Sequence, residues 1–362
     1  MKVGTGFAQG CQPVPELAAW AVSQAMDRAG LDIANGVLLF LSEDFAQNPQ
    51  PALQAAAVAA STMQVSGCSA PGIFTQDEWV LDGSAAAALV LGDGAGISTV
   101  RSHEENSLLL TLAAPNALNA SWLQWPGKRF GCVAGDATGH GQFSVWTNGK
   151  GIPSGYTDLL LQGVRGVVDV AHAIKPLGMP QQVGYIAGFD VLEISGQPAW
   201  MNLVNTLDDH GVSHDQGIPY HRLVAILAES EEAYWQEEYH PVPLVSADMQ
   251  AQSVTLATKM TSGTWLTWGM LDRDAAQQQL AATVQSINAR LQGKPAFGLV
   301  FSCLARGPHL YDGVEQEISL LKRDYPGLPL IGFYGNGEIA PIHGRNVLCQ
   351  QSVVLGLFTA ES

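Results

Sequence analysis

The chain has 362 residues, 47% of them apolar and only 14% charged, and a formal net charge of −16. That composition supports a large buried interior and carries no signature of disorder, and the length favours two domains. The acidity, with no run of Lys and Arg, argues against a nucleic-acid footprint, which needs clustered positive charge.

In chain order, residues 2–7 read as a short strand. Pro15 to Ala29 reads as a helix, because proline suits the first turn and Gly30 stops it. Gly36 to Ser42 is an apolar strand, Pro51 to Thr62 an Ala-rich helix, and Val65 leads into a tight turn over Gly67–Gly72. Ala85 to Leu91 and Ser107 to Ala113 are apolar strands, and Phe143 to Thr147 and Tyr156 to Val170 suggest more. Val183 to Glu193 and Met201 to Leu207 read as a linker region, Tyr220 to Leu227 as a strand, and Ser262-Gly263 as a hairpin turn. Trp265 to Met270 is a strand, Arg273 to Leu291 a helix, and Phe297 to Ser302 a strand. Val314 to Tyr325 has apolar residues at helical spacing, Leu328 to Phe333 is a buried strand, and Val347 to Phe358 another.

The order of elements near the C-terminus repeats that near the N-terminus. Val-Ser-Gly-Cys-Ser-Ala-Pro-Gly (65–72) lies over Leu-Ile-Gly-Phe-Tyr-Gly-Asn-Gly (330–337). This implies a divergent internal duplication, roughly residues 1–100 against 262–360, with Trp265–Met270 as the first strand of the second copy. The expected fold class is α/β: two related α/β halves with mixed β-sheets flanked by helices, and an antiparallel-rich middle. The expected domains are residues 1–205 and 206–362.

Chemistry concentrates where two strands end. Phe297 to Ser302 runs into Cys303 and Arg306, and Leu328 to Phe333 runs into Tyr334, Gly335, Asn336, Gly337 and Glu338. A strand–helix–strand unit places such strands parallel, with both C-terminal ends on one edge, where ligands of open α/β sheets bind. Arg306 supplies a bidentate donor for a carboxylate and Glu338 an acceptor for an ammonium, the pair of groups a zwitterion needs. Ser302, Tyr334 and Asn336 could add neutral hydrogen bonds. The alternative is an internal salt bridge that ties the two strand ends together.

The stretches Phe-Ser-Cys-x-x-Arg-Gly (301–307) and Gly-Phe-Tyr-x-x-Gly-Glu-Ile-x-Pro (332–341) resemble the signature of the FIST C domain. Val65 to Gly72 resembles the Gly-Cys-Ser-x-x-Gly segment of the FIST N domain, with Ala70 and Pro71 where that segment usually has Thr and Ala. Gly131 to Asp136 resembles a Gly-Gly-x-Ala-x-Asp segment of the same family, with Cys132 for the second glycine, and Gly178 to Leu203 resembles its linker. The resemblance implies a sensory module that binds a small molecule, such as an amino acid, and signals to a separate protein such as a histidine kinase. The ligand-binding residues are then Arg306, Glu338, Ser302, Cys303, Tyr334 and Asn336, joined by Gly67, Cys68 and Ser69. Some family members bind haem and sense nitric oxide through a histidine. His103, His140, His172, His221, His240, His309 and His343 are scattered here, and no motif selects one; no cofactor is expected.

Five cysteines, at 11, 68, 132, 303 and 349, form no CxxC pair, which indicates free thiols and a reducing compartment. Cys68 and Cys303 could serve a cysteine-dependent enzyme, but no His lies within thirty residues of Cys68 to activate it. Asp208 to Asp215 carries metal-ligand residue types in what reads as a loop. Gly92 to Gly96 resembles part of a dinucleotide loop without the helix that should follow. No signal peptide and no apolar run of the ~18–20 residues that span a membrane appear, so a cytoplasmic protein is expected.

Overall fold

The computed structural model describes residues 1–100, 106–135, 142–236 and 238–361. His103, His140 and Asp136, named above, lie outside the described residues. The chain divides into two compact units, Met1–Ala171 with Gln279–Ser362, and His172–Gln278. The expected boundary between 205 and 206 falls instead inside a helix of the second unit. Among the described residues, no helix is long and apolar enough to cross a membrane.

The first unit is built from three repeats. The first repeat comprises β1 (Lys2–Gly10), α1 (Pro15–Ala29), β2 (Gly36–Ser42), α2 (Gln50–Ala59), β3 (Val65–Ala70), the hairpin β4 (Gly72–Thr75) and β5 (Trp79–Val80), and β6 (Ser84–Gly92). Helix α1 begins on Pro15 and closes on Gly30, whose φ of 61° lies in the left-handed region that glycine enters without a Cβ penalty. The second repeat comprises β7 (Gly96–Thr99), β8 (Leu108–Ala113), the short α3 (Ala120–Leu123), β9 (Lys128–Val133), the hairpin β10 (Val145–Thr147) and β11 (Lys150–Gly151), and β12 (Tyr156–Gln162).

The third repeat opens on β13 (Val164–His172), and the second unit is inserted directly after it. That unit contains β14 (Ile174–Ala187), β15 (Asp190–Ile194), β16 (Gln197–Pro198), α4 (Ala199–Asp209), β17 (Leu223–Ala228), α5 (Glu231–Trp235), β18 (Tyr239–Asp248), β19 (Ser253–Leu256) and β20 (Trp265–Leu271). Its strands run β14-β20-β17-β18-β19-β15, and a further β14–β15 pairing closes the sheet into an antiparallel barrel. Leu203 and Leu207 of α4 pack with Leu177, Val191, Leu227 and Trp268 in its core. The third repeat then resumes with α6 (Arg273–Arg290), β21 (Phe297–Cys303), α7 (Gly307–Leu310), α8 (Glu317–Asp324), β22 (Leu330–Gly335), the hairpin β23 (Glu338–Ile342) and β24 (Arg345–Cys349), and β25 (Ser352–Ala360).

The two related halves are present, and the same order occurs a third time between them. The three sheets run β1-β6-β2-β3, β7-β12-β8-β9 and β13-β25-β21-β22. Each thus has the order first, fourth, second, third, with the second and third strands parallel. Each sheet is completed by the hairpin of a different repeat: β10–β11 joins β3, β23–β24 joins β9, and β4–β5 joins β22. Trp265–Met270 forms a strand, but within the barrel. The first strand of the third repeat is β13, which the insertion separates from the rest of its repeat.

Three glycines mark the repeat. Gly67 stands beside Leu39, Gly131 beside Thr111 and Gly332 beside Val300 across the parallel pair. A Cβ on any of the three would collide with the carbonyl oxygen of that neighbour. The next residues, Cys68, Cys132 and Phe333, point into one shared apolar core with Phe40, Phe130 and Phe301. Phe333 packs on Phe40 at 5.0 Å and on Phe301 at 5.2 Å between ring centroids.

Two further readings change locally. Val347–Phe358 is not one strand; it breaks at Gln351, whose φ is 53°, into β24 and β25. The Ser262-Gly263 turn does not join two strands of a hairpin, since β20 starts at Trp265 and Gly263 donates to the carbonyl of Val183 at 3.0 Å.

Candidate functional site

The exchanged hairpin β23–β24 carries the central carboxyl. Glu338 is the first residue of β23 and lies between Cys132 of β9 and Cys349 of β24 in the antiparallel register. Its counterparts in the other two hairpins, opposite Phe333 and Cys68, are Ile73 and Val145. The third repeat therefore places an acid where the other two place an aliphatic side chain.

Glu338 is fully buried. Its Oε2 accepts a hydrogen bond from Ser352 Oγ at 2.7 Å, and its Oε1 lies 3.9 Å from Cys132 Sγ. Among the described residues no basic side chain bonds to it. Burial pushes its carboxyl up to about 8, against the pull of the Ser352 hydroxyl and amide and of the Arg306 charge. Burial and the charge of Glu338 together raise Cys132, Cys303 (to about 12) and Cys349, and burial alone raises Cys68. Such thiols stay protonated at neutral pH, the opposite of an activated nucleophile.

The guanidinium faces a different carboxylate. Arg306 follows β21, is fully buried, and bonds through Nε to Glu317 Oε1 and through Nη1 to the carbonyl of Ala171 at 3.1 Å. Ser302 Oγ donates to Glu317 Oε2 at 2.7 Å, so Glu317 is held by both residues. Glu315 caps the start of α8, its carboxylate accepting from the amides of Glu317, Ile318 and Ser319 at 2.9–3.2 Å. Burial raises Glu315 to about 7; the amide of Ile318 opposes this, and the charge of Glu317 adds to it.

Alternation along the strands divides the candidate residues between two faces. Phe301 and Phe333 turn into the shared core, whereas Val300 and Tyr334 pack under the helices of the third repeat. Ser302 reaches Glu317 of α8, while Cys303 comes within electrostatic reach of Glu338. Tyr334 is buried against Phe74, 4.8 Å between ring centroids, and burial, Glu315 and Glu317 raise its hydroxyl. Asn336 joins the site by its backbone, donating to the Val133 carbonyl at 2.9 Å. Gly67 and Ser69 belong to the first sheet, where Ser69 Oγ accepts from the Ser144 amide at 2.9 Å. Cys68 turns inward, into the apolar core that also holds Cys132.

Glu317 and Ser352 were not among the residues singled out from sequence. The signal for Glu317 was an acidic pair, Glu315 and Glu317, at the start of an amphipathic helix. A lone serine opening an apolar strand gave none. Among the described residues no group of His, Cys, Asp and Glu side chains is arranged to hold a metal ion. In the Asp208–Asp215 segment, His214 Nε2 instead pairs with Asp208 Oδ1 at 2.8 Å.

One consequence concerns pH. A carboxyl whose native value lies near 8 holds its proton more tightly in the folded than in the unfolded chain, where it titrates near 4.5. Folded protein then binds more protons than unfolded protein between those values, so stability falls as pH rises from about 5 to about 8. The loss is on the order of a few kcal/mol. Glu338→Gln should flatten much of this slope in melting curves from pH 5 to 9 and overtake the native protein at the alkaline end. An unchanged slope would show that Glu338 is not the group that titrates.

The fold is a mixed α/β fold of three repeats that exchange hairpins, with Arg306, Glu317 and Glu338 buried near the strand ends of the third. Residues 204–341, which include Ser302, Arg306, Glu317 and Glu338, match the family model described as the FIST C domain. The chain thus carries a FIST C domain, and membership of the FIST family is supported from that part of its length. Over 99% of its residues it is similar to the uncharacterized protein Mb0898c of Mycobacterium bovis, with 26% identity over 384 residues covering 99% of that protein. It is likewise similar to the uncharacterized protein MT0656 of Mycobacterium tuberculosis, with 24% identity over 383 residues, 99% of this chain and all of that one.

Proposed function

We propose that the protein is a sensory module that binds a small zwitterion, such as an amino acid, between Glu338 and Arg306, and signals to a separate protein. The observation that carries this reading is Glu338 itself: a buried carboxyl with hydroxyl, amide and thiol neighbours and, among the described residues, no basic side chain bonded to it. Burial holds such a group in its neutral form, a nearby cation would favour the charged one, and strongly shifted groups of this kind gather at functional sites. An ammonium at Glu338 would supply the missing positive charge. Glu317 then stands where the ligand carboxylate would sit on Arg306. Displacing it would release the start of α8, which gives binding a means of altering the surface that a partner such as a histidine kinase would read.

A thermal-shift screen against the twenty amino acids and small organic acids tests the reading. Binding to the native state stabilises by RT ln(1 + [L]/Kd), about 2.7 kcal/mol at a hundredfold excess over Kd. One amino acid should raise the midpoint by several degrees, and Glu338→Gln should abolish that rise while leaving the fold intact. Silence across the screen, or a rise untouched by Glu338→Gln, would count against this site. Recovery of a partner in pull-downs should also depend on the amino acid that shifts the midpoint.

A further inference from the structure

Gln350 and Gln351 join β24 to β25 beside Glu338. Gln351 has a φ of 53°, in the left-handed region that glycine enters freely and that strains a residue with a longer side chain. The kink turns two successive backbone amides toward the buried groups. The Gln351 amide bonds to the thiol of Cys303, and the Ser352 amide bonds to the Glu338 carboxyl, alongside the Ser352 hydroxyl. The α-carbon of Gln351 is therefore one bond from an amide that ends on Glu338, and a glutamine side chain is long enough to reach the same carboxyl.

The carboxamide of Gln351 has no role in holding this turn together. Gln351 is only 7% exposed, and its Oε1 is buried with no hydrogen-bond partner among the described residues. A buried acceptor without a donor lowers stability, and an apolar side chain of the same length would avoid that loss. The turn thus holds glutamine where its backbone favours glycine and where burial favours methionine. Two costs at one residue, next to the central carboxyl, mark a group kept for a purpose other than stability.

Resting on the reading of Glu338 as an ammonium site, we infer that Gln351 selects the ligand by its N–H groups. Its Oε1 accepts from one N–H of the ammonium and the Glu338 carboxylate from another, so the site takes a primary or secondary amine and rejects a quaternary one. Glu338 supplies charge, which any cation satisfies. Gln351 supplies a directed acceptor, which only an N–H satisfies. A site built to hydrogen-bond a ligand N–H discriminates against an analogue that lacks it, because the buried acceptor then stays unpaired.

Titration calorimetry of the full chain with methylammonium and with tetramethylammonium tests the inference, since the two carry the same charge and differ in N–H groups. The native protein should bind methylammonium at least about tenfold more tightly. Gln351→Met should bring the two cations close to equal affinity. Without any amine this variant should melt higher than the native protein, because methionine has no acceptor to leave unpaired. Gln350→Met, at the half-buried neighbour, should leave the tenfold preference in place. Methylammonium binding that Glu338→Gln abolishes, but whose selectivity survives Gln351→Met, overturns the inference and spares the reading of Glu338; selectivity by size alone would give that result. A native protein that binds both cations alike also overturns the inference alone, and one that binds neither overturns both. A Gln351→Met variant that melts lower than the native protein assigns Oε1 to the fold and overturns the inference as well.

Discussion

Arg306→Ala should destabilise the protein by about 3–5 kcal/mol in chemical denaturation. The substitution strands Glu317, which is nearly fully buried, with the hydroxyl of Ser302 as its remaining side-chain donor among the described residues. It also removes the donor to the Ala171 carbonyl, which ties β13 to the end of β21. The penalty belongs to the orphaned charge more than to the lost attraction. Arg306→Met combined with Glu317→Met should therefore cost clearly less than Arg306→Ala alone, since no buried charge is left over. If the double variant is as unstable as the single one, the pair holds the fold by geometry and not by charge balance. Arg306→Lys should fall in between, because an ammonium lacks the fork that serves Glu317 and Ala171 together.

Gly332→Ala should be still more damaging, about 4 kcal/mol or more, with loss of soluble protein as the practical outcome. The added methyl would meet the Val300 carbonyl oxygen and Phe74 Cε2, the latter at 2.7 Å. The carbonyl belongs to β21 and cannot retreat without breaking the parallel pair. Gly131→Ala should behave alike against Thr111. Gly151, with nothing within 4 Å of its would-be Cβ, should accept alanine at little cost. Comparable losses at Gly151 and Gly332 would mean that close approach is not what these glycines provide.

The sequence made the parallel strand pairs readable, because apolar runs of strand length alternate with stretches of helical spacing, and α1 is bracketed by Pro15 and Gly30. The likeness of 65–72 to 330–337 was also visible, and both segments occupy the same place in their repeats. The third repeat was hidden for two reasons. Its first strand, β13, is cut off by the barrel, so Trp265–Met270 stood in the expected place. In the second repeat the helical layer is reduced to Ala120–Leu123, so the middle read as mainly β. The polar site was legible in its residues but not in its pairing. Arg306 had Glu315, Glu317 and Glu338 within reach along the chain, and only packing chooses Glu317. The inward turn of Glu338 depends on β23 joining β9, a strand some two hundred residues earlier, and no local pattern encodes that.

The hairpin exchange also dictates when the molecule can be finished. As the chain is made from its N-terminus, β3 receives β10 and β11 within the same stretch, so the first sheet can close early. Strand β9 must wait for β23, some two hundred residues further along the chain, and until then its edge is open to other strands. The short β4–β5 ribbon has nothing to dock on until β22 appears. Sheet closure is therefore circular: each repeat is unfinished until another has lent it two strands. A chain cut after the second repeat would not be a smaller version of this protein but one with a bare edge at β9 and an unplaced hairpin, and such edges invite pairing between molecules. The three repeats should consequently melt together rather than one after another, in contrast to repeat arrays in which each unit touches only its neighbour.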